Sequence, residues 1–195
     1  MKTSLENLRA RAREIEAAVE EEVDRRREAL GARLERGRVV FEADVRARHR
    51  AARQKLGDYV RGIRPAVVLS APVIYSLILP LALVDLWVTL YQRICFPVYG
   101  IARVKRREFI VIDRHRLGYL NTLEKINCVY CGYAGGVIAY AREVASRTEA
   151  HWCPIKHARR WPGAHARYGG FMDYGDETDF IARWAAERAR LKNEL

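Results

Sequence analysis

Cysteine is scarce in this 195-residue chain, with four in all, and proline is confined, its six residues beginning only at Pro65. Cys95, Cys128, Cys131 and Cys153 are too few and too unevenly placed for a disulfide-stapled secreted domain, which points to a reducing compartment for the C-terminal part. A charged amphipathic stretch follows Met1 and Lys2, in place of an apolar core with a cleavage site, so a secretory signal is not expected. The chain lacks a phosphate-cradling glycine loop, a Ser/His/Asp order and a His-Glu-x-x-His string, which removes the commonest catalytic classes. Acid is short too, with 24 Asp and Glu against 35 Lys and Arg and a net charge of +11. Both flanks are basic, with 17 basic and 12 acidic residues over 1–64 and 18 and 11 over 92–195. Anionic lipid headgroups attract such clusters, so nucleic acid is not required to explain them.

What is present begins with residues 65–91, whose only charged group is Asp85. A helix over this stretch rises roughly 40 Å, more than the ~30 Å hydrocarbon core of a bilayer, and core helices of soluble proteins seldom run so far without charge. Pro72 and Pro80 each remove a backbone donor, so a kink or break is expected, most consequentially at Pro80. Seven basic residues over 46–64 face seven over 93–116, which leaves the positive-inside rule tied. A tie suits a re-entrant or monotopic segment with both ends on one side, ahead of a single span. Arg61, Arg64, Arg103, Lys105, Arg106 and Arg107 are the candidate headgroup contacts, and Asp85 should find a polar partner or the interface.

Before the apolar stretch, Thr3 or Ser4 can cap a helix that meets no proline until Pro65, with Leu5, Leu8, Ala12, Ile15, Val19 and Val23 on one stripe. Leu30 and Leu34 restart the pattern, so self-association through residues 5–34 is a candidate role beside simple packing on the same protein. After it, the β-branched run over 108–113 reads as a strand that would need a partner near 117–120 or in another chain.

The metal-type pattern is Cys128-Val-Tyr-Cys131-Gly132 followed by Cys153-Pro-Ile-Lys-His157. Two thiolates two residues apart can aim at one ion from a tight turn, and the second pair would complete a Cys3His set; His151 competes for the fourth position. Structural zinc is the leading cofactor, with an iron or iron–sulfur centre, a dithiol redox pair and plain burial as alternatives. Glu149, His151, His165 and Asp173 are the acid/base candidates if the chain is an enzyme. Residues 158–175 interleave Arg159, Arg160, Trp161, His165, Tyr168 and Phe171, a composition that can stack bases, wedge into lipid or cover a site. Asp173, Asp176, Glu177 and Asp179 precede a last helix with Phe180, Ile181, Trp184 and Leu191 on one stripe.

The string Asn127-Cys-x-Tyr-Cys131, then Arg147-Thr-Glu149, then Trp152-Cys-Pro-Ile-Lys-His157, resembles that of a family of small bacterial membrane-associated proteins over about residues 113–160. The resemblance implies no activity. The expected architecture is mainly α: a long charged helix over 1–64, a membrane segment with an interfacial patch over 65–103, and a small metal-stabilised C-terminal domain over 104–195 with little β. The expected role is a membrane-anchored, metal-binding scaffold, adaptor or assembly factor, holding a protein partner at the cytosolic face of a bacterial inner membrane. A membrane-associated metal- or thiol-dependent redox enzyme and a nucleic-acid-binding protein are the alternatives.

Overall fold

The computed structural model describes residues 2–35 and 38–193, and the chain is mainly helical. The side chains of Thr3, Ser4, Leu5 and Leu34, on which the expected cap and part of the apolar stripe rest, lie outside the described residues. Two compact units form, Met1–Asp58 with Leu117–Asn121, and Tyr59–Arg116 with Thr122–Leu195. Residues 122–195 thus fold with the apolar helices and not as a unit of their own.

In the first unit, helix α1 (Lys2–Ala29) stops well short of Pro65. Gly31 adopts φ +67°, and strands β1 (Ala32–Glu35) and β2 (Arg38–Phe41) pair antiparallel with Ala32 opposite Phe41. The expectation of one helix over 1–64 is corrected accordingly. Lack of proline permits a helix without requiring one, and a left-handed glycine followed by β-branched Val39 and Val40 favours a hairpin. A side chain at Gly31 would also come within 2.8 Å of Val45, the residue that α2 (Ala43–Ala51) buries. His49 of α2 packs edge-on against Phe41 and Tyr119, with ring centroids 4.8 and 5.0 Å apart. Helix α3 (Leu56–Gly62) follows.

The second unit is built on α4 (Pro65–Ser76) and α5 (Ile78–Tyr99), interrupted at Leu77. Pro80 has no N–H for the Ser76 carbonyl and its ring crowds that carbonyl, so the break falls one turn before it. Gly100, at φ +68°, ends α5, and the Ile101 N–H closes the turn on the Phe96 carbonyl at 2.8 Å. Helix α7 (Thr122–Trp152) then runs alongside. Tyr75 bonds Asn127, Asp85 meets Tyr133, Thr89 meets Tyr140 and Tyr91 meets Thr148. Partners advance together along both helices, so the pair is parallel, and residues 101–116 form the strap that carries the chain back.

The strap includes the single turn α6 (Arg106–Phe109), and among the described residues no strand pairs with 108–113. The expected strand packs on a helix because Gly132 and Gly136 flatten one face of α7. A Cβ at Gly136 would lie 2.7 Å from the Ile110 Cα and 2.8 Å from the Phe109 carbonyl, and one at Gly132 would lie 3.1 Å from the Val111 carbonyl. Phe96, Ile101, Val104, Tyr140 and Val144 form the core beneath the strap. A second cluster of Ala150, Phe171 and Leu191 seats α8 (Phe180–Asn193), whose Trp184 and Arg188 donate to the His151 carbonyl at 2.7 and 3.0 Å. Leu191 is buried as expected, whereas Ile181 faces outward.

Candidate functional site

The apolar segment Pro65–Tyr99 is long and apolar enough to cross a membrane, with a mean hydropathy of 2.3 over an 18-residue window of which none is buried. Fourteen of its large apolar side chains are exposed, from Val67 to Val98. On α5 the exposed residues Leu79, Leu83, Leu86, Trp87, Leu90, Ile94 and Val98 share one stripe, while Asp85, Gln92 and Phe96 are buried on the opposite side. Scattered exposed hydrophobes are ordinary, but a continuous band of this length marks an interaction surface.

Behind the band lies a polar network that the strap completes. Arg106 grips Asp85 with two parallel bonds, Nε to Oδ1 at 2.7 Å and a terminal nitrogen to Oδ2 at 2.5 Å, and Tyr133 donates to the same carboxylate at 3.0 Å. Asp85 therefore has the polar partner anticipated for it, and Arg106, expected on lipid headgroups, is committed to that partner. Gln92 accepts from the Val104 N–H at 2.9 Å, donates to the Val104 carbonyl at 3.2 Å and also bonds Tyr140. These contacts tie the strap to α5 at two levels. Arg103, Lys105 and Arg107 remain exposed on it, Arg61 lies on α3, and Arg64 immediately precedes α4.

Where the α4–α5 break meets the start of α7, a cleft of about 610 Å³ opens. Ile78, Ile112, Ile126 and Val129 give it apolar walls, and the rings of Tyr75, Tyr130 and Tyr133 line it as well. His115, Thr122 and Lys125 complete the lining, and the surface left open to the cleft is almost wholly apolar. Sequence reasoning missed this cleft, because its walls come from three segments that only the parallel helix pair brings together.

The four metal candidates do not converge. Cys128 and Cys131 sit three apart on the unbroken α7, not in a turn, while Cys153 directly follows its last residue. The 22 residues from Cys131 to Cys153 span about 33 Å of chain at helical rise. His157 lies in the following segment, its N–H donating to the Tyr168 hydroxyl at 2.6 Å and its ring 5.0 Å from Trp161. Among the described residues, no three His, Cys, Asp or Glu side chains group so as to hold a metal ion. The expected tight turn at Cys128–Cys131 is corrected: two residues between cysteines also place them on one face of a helix, and the apolar run around them makes that helix.

The acid/base candidates are absorbed by structure. His165, buried, accepts from the Tyr168 N–H at Nδ1 (3.1 Å), which leaves its Nε2 proton for Glu149 at 2.9 Å. Asp173 pairs with Lys156 at 2.6 Å. His151 stacks on Tyr99 with centroids 5.4 Å apart; burial, aided by Arg188 and Lys192, pushes its imidazole below the usual range. Asp176 is held down to about 2 by the bond from Arg183 and by its bonds with Thr178, so this acid serves local structure ahead of α8. In the 158–175 loop, Trp161, His165, Tyr168 and Phe171 pack on one another, with ring contacts of 5.3–6.3 Å. Arg167 ties that loop to Glu143 of α7 with two bonds of 2.8 Å, and Arg147 adds a third at 2.9 Å. Burial pushes the Glu143 carboxyl up, but these bonds outweigh it and hold the group below the ordinary glutamate range. Comparison of the chain with family models, with curated proteins and with solved structures finds no match in any of the three.

Proposed function

We propose that this chain is a monotopic membrane-anchored adaptor, lying at the cytosolic face of a bacterial inner membrane and holding a protein partner there. The exposed apolar band of α4 and α5 is the observation that carries the reading. Burying a large apolar side chain contributes about 1.5–3 kcal/mol, so fourteen half-exposed ones offer on the order of 10 kcal/mol to a lipid surface.

An in-plane seat is supported by the strap. It runs back along α5 from Val104 beside Gln92 to His115 beside the Tyr75 level, with Lys105, Arg107, Arg114 and Arg116 exposed. Each such charge costs about 2.5–3.5 kcal/mol at the centre of a bilayer, so a transverse seat forfeits roughly what the apolar band gains. Lying in plane, α5 buries its band in one leaflet and lifts the strap to the headgroups. Helix α1 supplies the partner surface, with Leu8, Ile15, Val19 and Val23 exposed along one side.

Flotation with vesicles and cysteine labelling at introduced sites near residues 20 and 190 test this. The full chain should float with the vesicles, and both sites should label from the same side; labelling from opposite sides would overturn the monotopic seat. Ile15→Glu with Val19→Glu should abolish partner or self-association and leave flotation intact.

A further inference from the structure

We propose that α1 pairs with α1 of a second copy of this chain, antiparallel, in the register that sets Leu8 of one copy beside Val19 of the other and Ala12 beside Ile15. The proposal deepens the reading of α1 as the partner surface and rests on it. Leu8, Ile15 and Val19 are each more than half exposed, and with Ala12 they recur at intervals of four, three and four residues, the spacing of a helix–helix seam. Charge sets both the occupant and its direction. Residues 9–13 hold three arginines and no acid, residues 14–24 hold six acids and no base, and Arg25, Arg26 and Arg27 follow. A parallel pair in register lays each block on its own like, and an antiparallel pair centred on Val19 still sets acid on acid. Moving the centre to between Arg13 and Glu14 brings Arg11 and Arg13 of each copy alongside Glu16 and Glu14 of the other, twice over by symmetry.

Packing selects the same register independently. A groove of about 430 Å³ on α1 is lined by Ile15, Ala18, Val19, Glu22, Val23 and Arg26, and the first four of these outline the hole that receives a knob from a facing helix. The register drawn from charge carries Leu8 of the second copy to the middle of that hole. Glu22 and Arg26, which would meet their own kind in the seam of a parallel pair, fall toward the open ends of this one. Seating on one membrane surface raises the local concentration of both copies, which favours a seam this short.

The test uses the full chain, in mild detergent and in vesicles. Light scattering in detergent should find a dimer. Chains carrying Leu8→Cys are mixed with chains carrying Val19→Cys and oxidised, and the cross-linked dimer is digested and read by mass spectrometry; bridges should join position 8 to position 19. In this register the two copies of position 8 stand eleven residues apart, about 16 Å at helical rise, beyond the reach of a disulfide. Arg11→Glu with Arg13→Glu should weaken pairing at least ~10-fold at low salt, and adding Glu14→Lys with Glu16→Lys should restore it, while circular dichroism confirms that each variant is folded. Bridges joining 8 to 8 or 19 to 19, absence of any bridge in both settings, or no rescue by the combined variant would overturn the proposal. A monomer whose α1 still carries a different protein, lost with Ile15→Glu and Val19→Glu, overturns self-pairing alone; a dimer that survives those two substitutions removes the α1 reading as well. If the chain fails to float, the membrane reading falls, and the cross-linking in detergent still decides the pair.

Discussion

Two adjacent glycines on α7 separate packing from propensity at the scale of one residue. Gly136 has the strap backbone at 2.7 Å from where a Cβ would stand, whereas nothing lies within 4 Å of the corresponding position at Gly135. Gly136→Ala should therefore destabilise the fold by about 1–3 kcal/mol through overpacking. Gly135→Ala should stabilise it by up to ~1 kcal/mol, because helix propensity acts there alone. Thermal melts of the two variants check this, and equal effects would remove the strap from the α7 face. Glu143 makes a second prediction. Its carboxyl is depressed in the folded state by Arg167 and Arg147 despite burial, so its contribution to stability is full above the ordinary value of about 4.3 and is lost as pH falls through the lower folded value. Glu143→Gln should flatten the acid side of the stability profile. The cysteine string advertised residue types correctly but not their arrangement, since the same spacing serves a turn and a helix face.

At the scale of the element, the α4–α5 break sits where Pro80 withdraws its donor, whereas Pro72 lies inside α4 without interrupting it. Pro80→Ala should restore the bond to the Ser76 carbonyl and merge the two helices, visible as added helical signal in circular dichroism. Helix α7 carries the sharper consequence. Being continuous over Thr122–Trp152, it keeps Cys128 and Cys131 away from Cys153 and His157, so chelation should leave the helical signal unchanged. A loss of signal that about one zinc per chain reverses would mean the Cys3His set assembles with α7 broken. The candidate strand over 108–113 was misread for a related reason: β-branched residues suit any extended segment on an apolar face, and here the face is a glycine-flattened helix.

For the whole molecule, a monotopic seat predicts that vesicle binding combines apolar burial with attraction of the strap to anionic headgroups. Adding anionic lipid should strengthen flotation and raising salt should weaken that increment, while Leu86→Asp with Leu90→Asp should abolish flotation without unfolding the chain. Loss of binding by salt alone would assign the association to charge and leave the apolar band without a role.

The apolar stretch, the proline break, the basic flanks and the helical class were legible because each follows from local composition: backbone donors, side-chain hydrophobicity and charge act over a few residues. The parallel pairing of α5 with α7, the union of Asp85 with Arg106, the glycine groove under the strap and the cleft at the helix break were not. Those depend on which surfaces meet after the chain has turned back on itself, and that choice is made by close packing and buried hydrogen bonds between segments tens of residues apart. The cysteines show the division plainly, for their chemistry is written in the sequence and their distance is set by a helix.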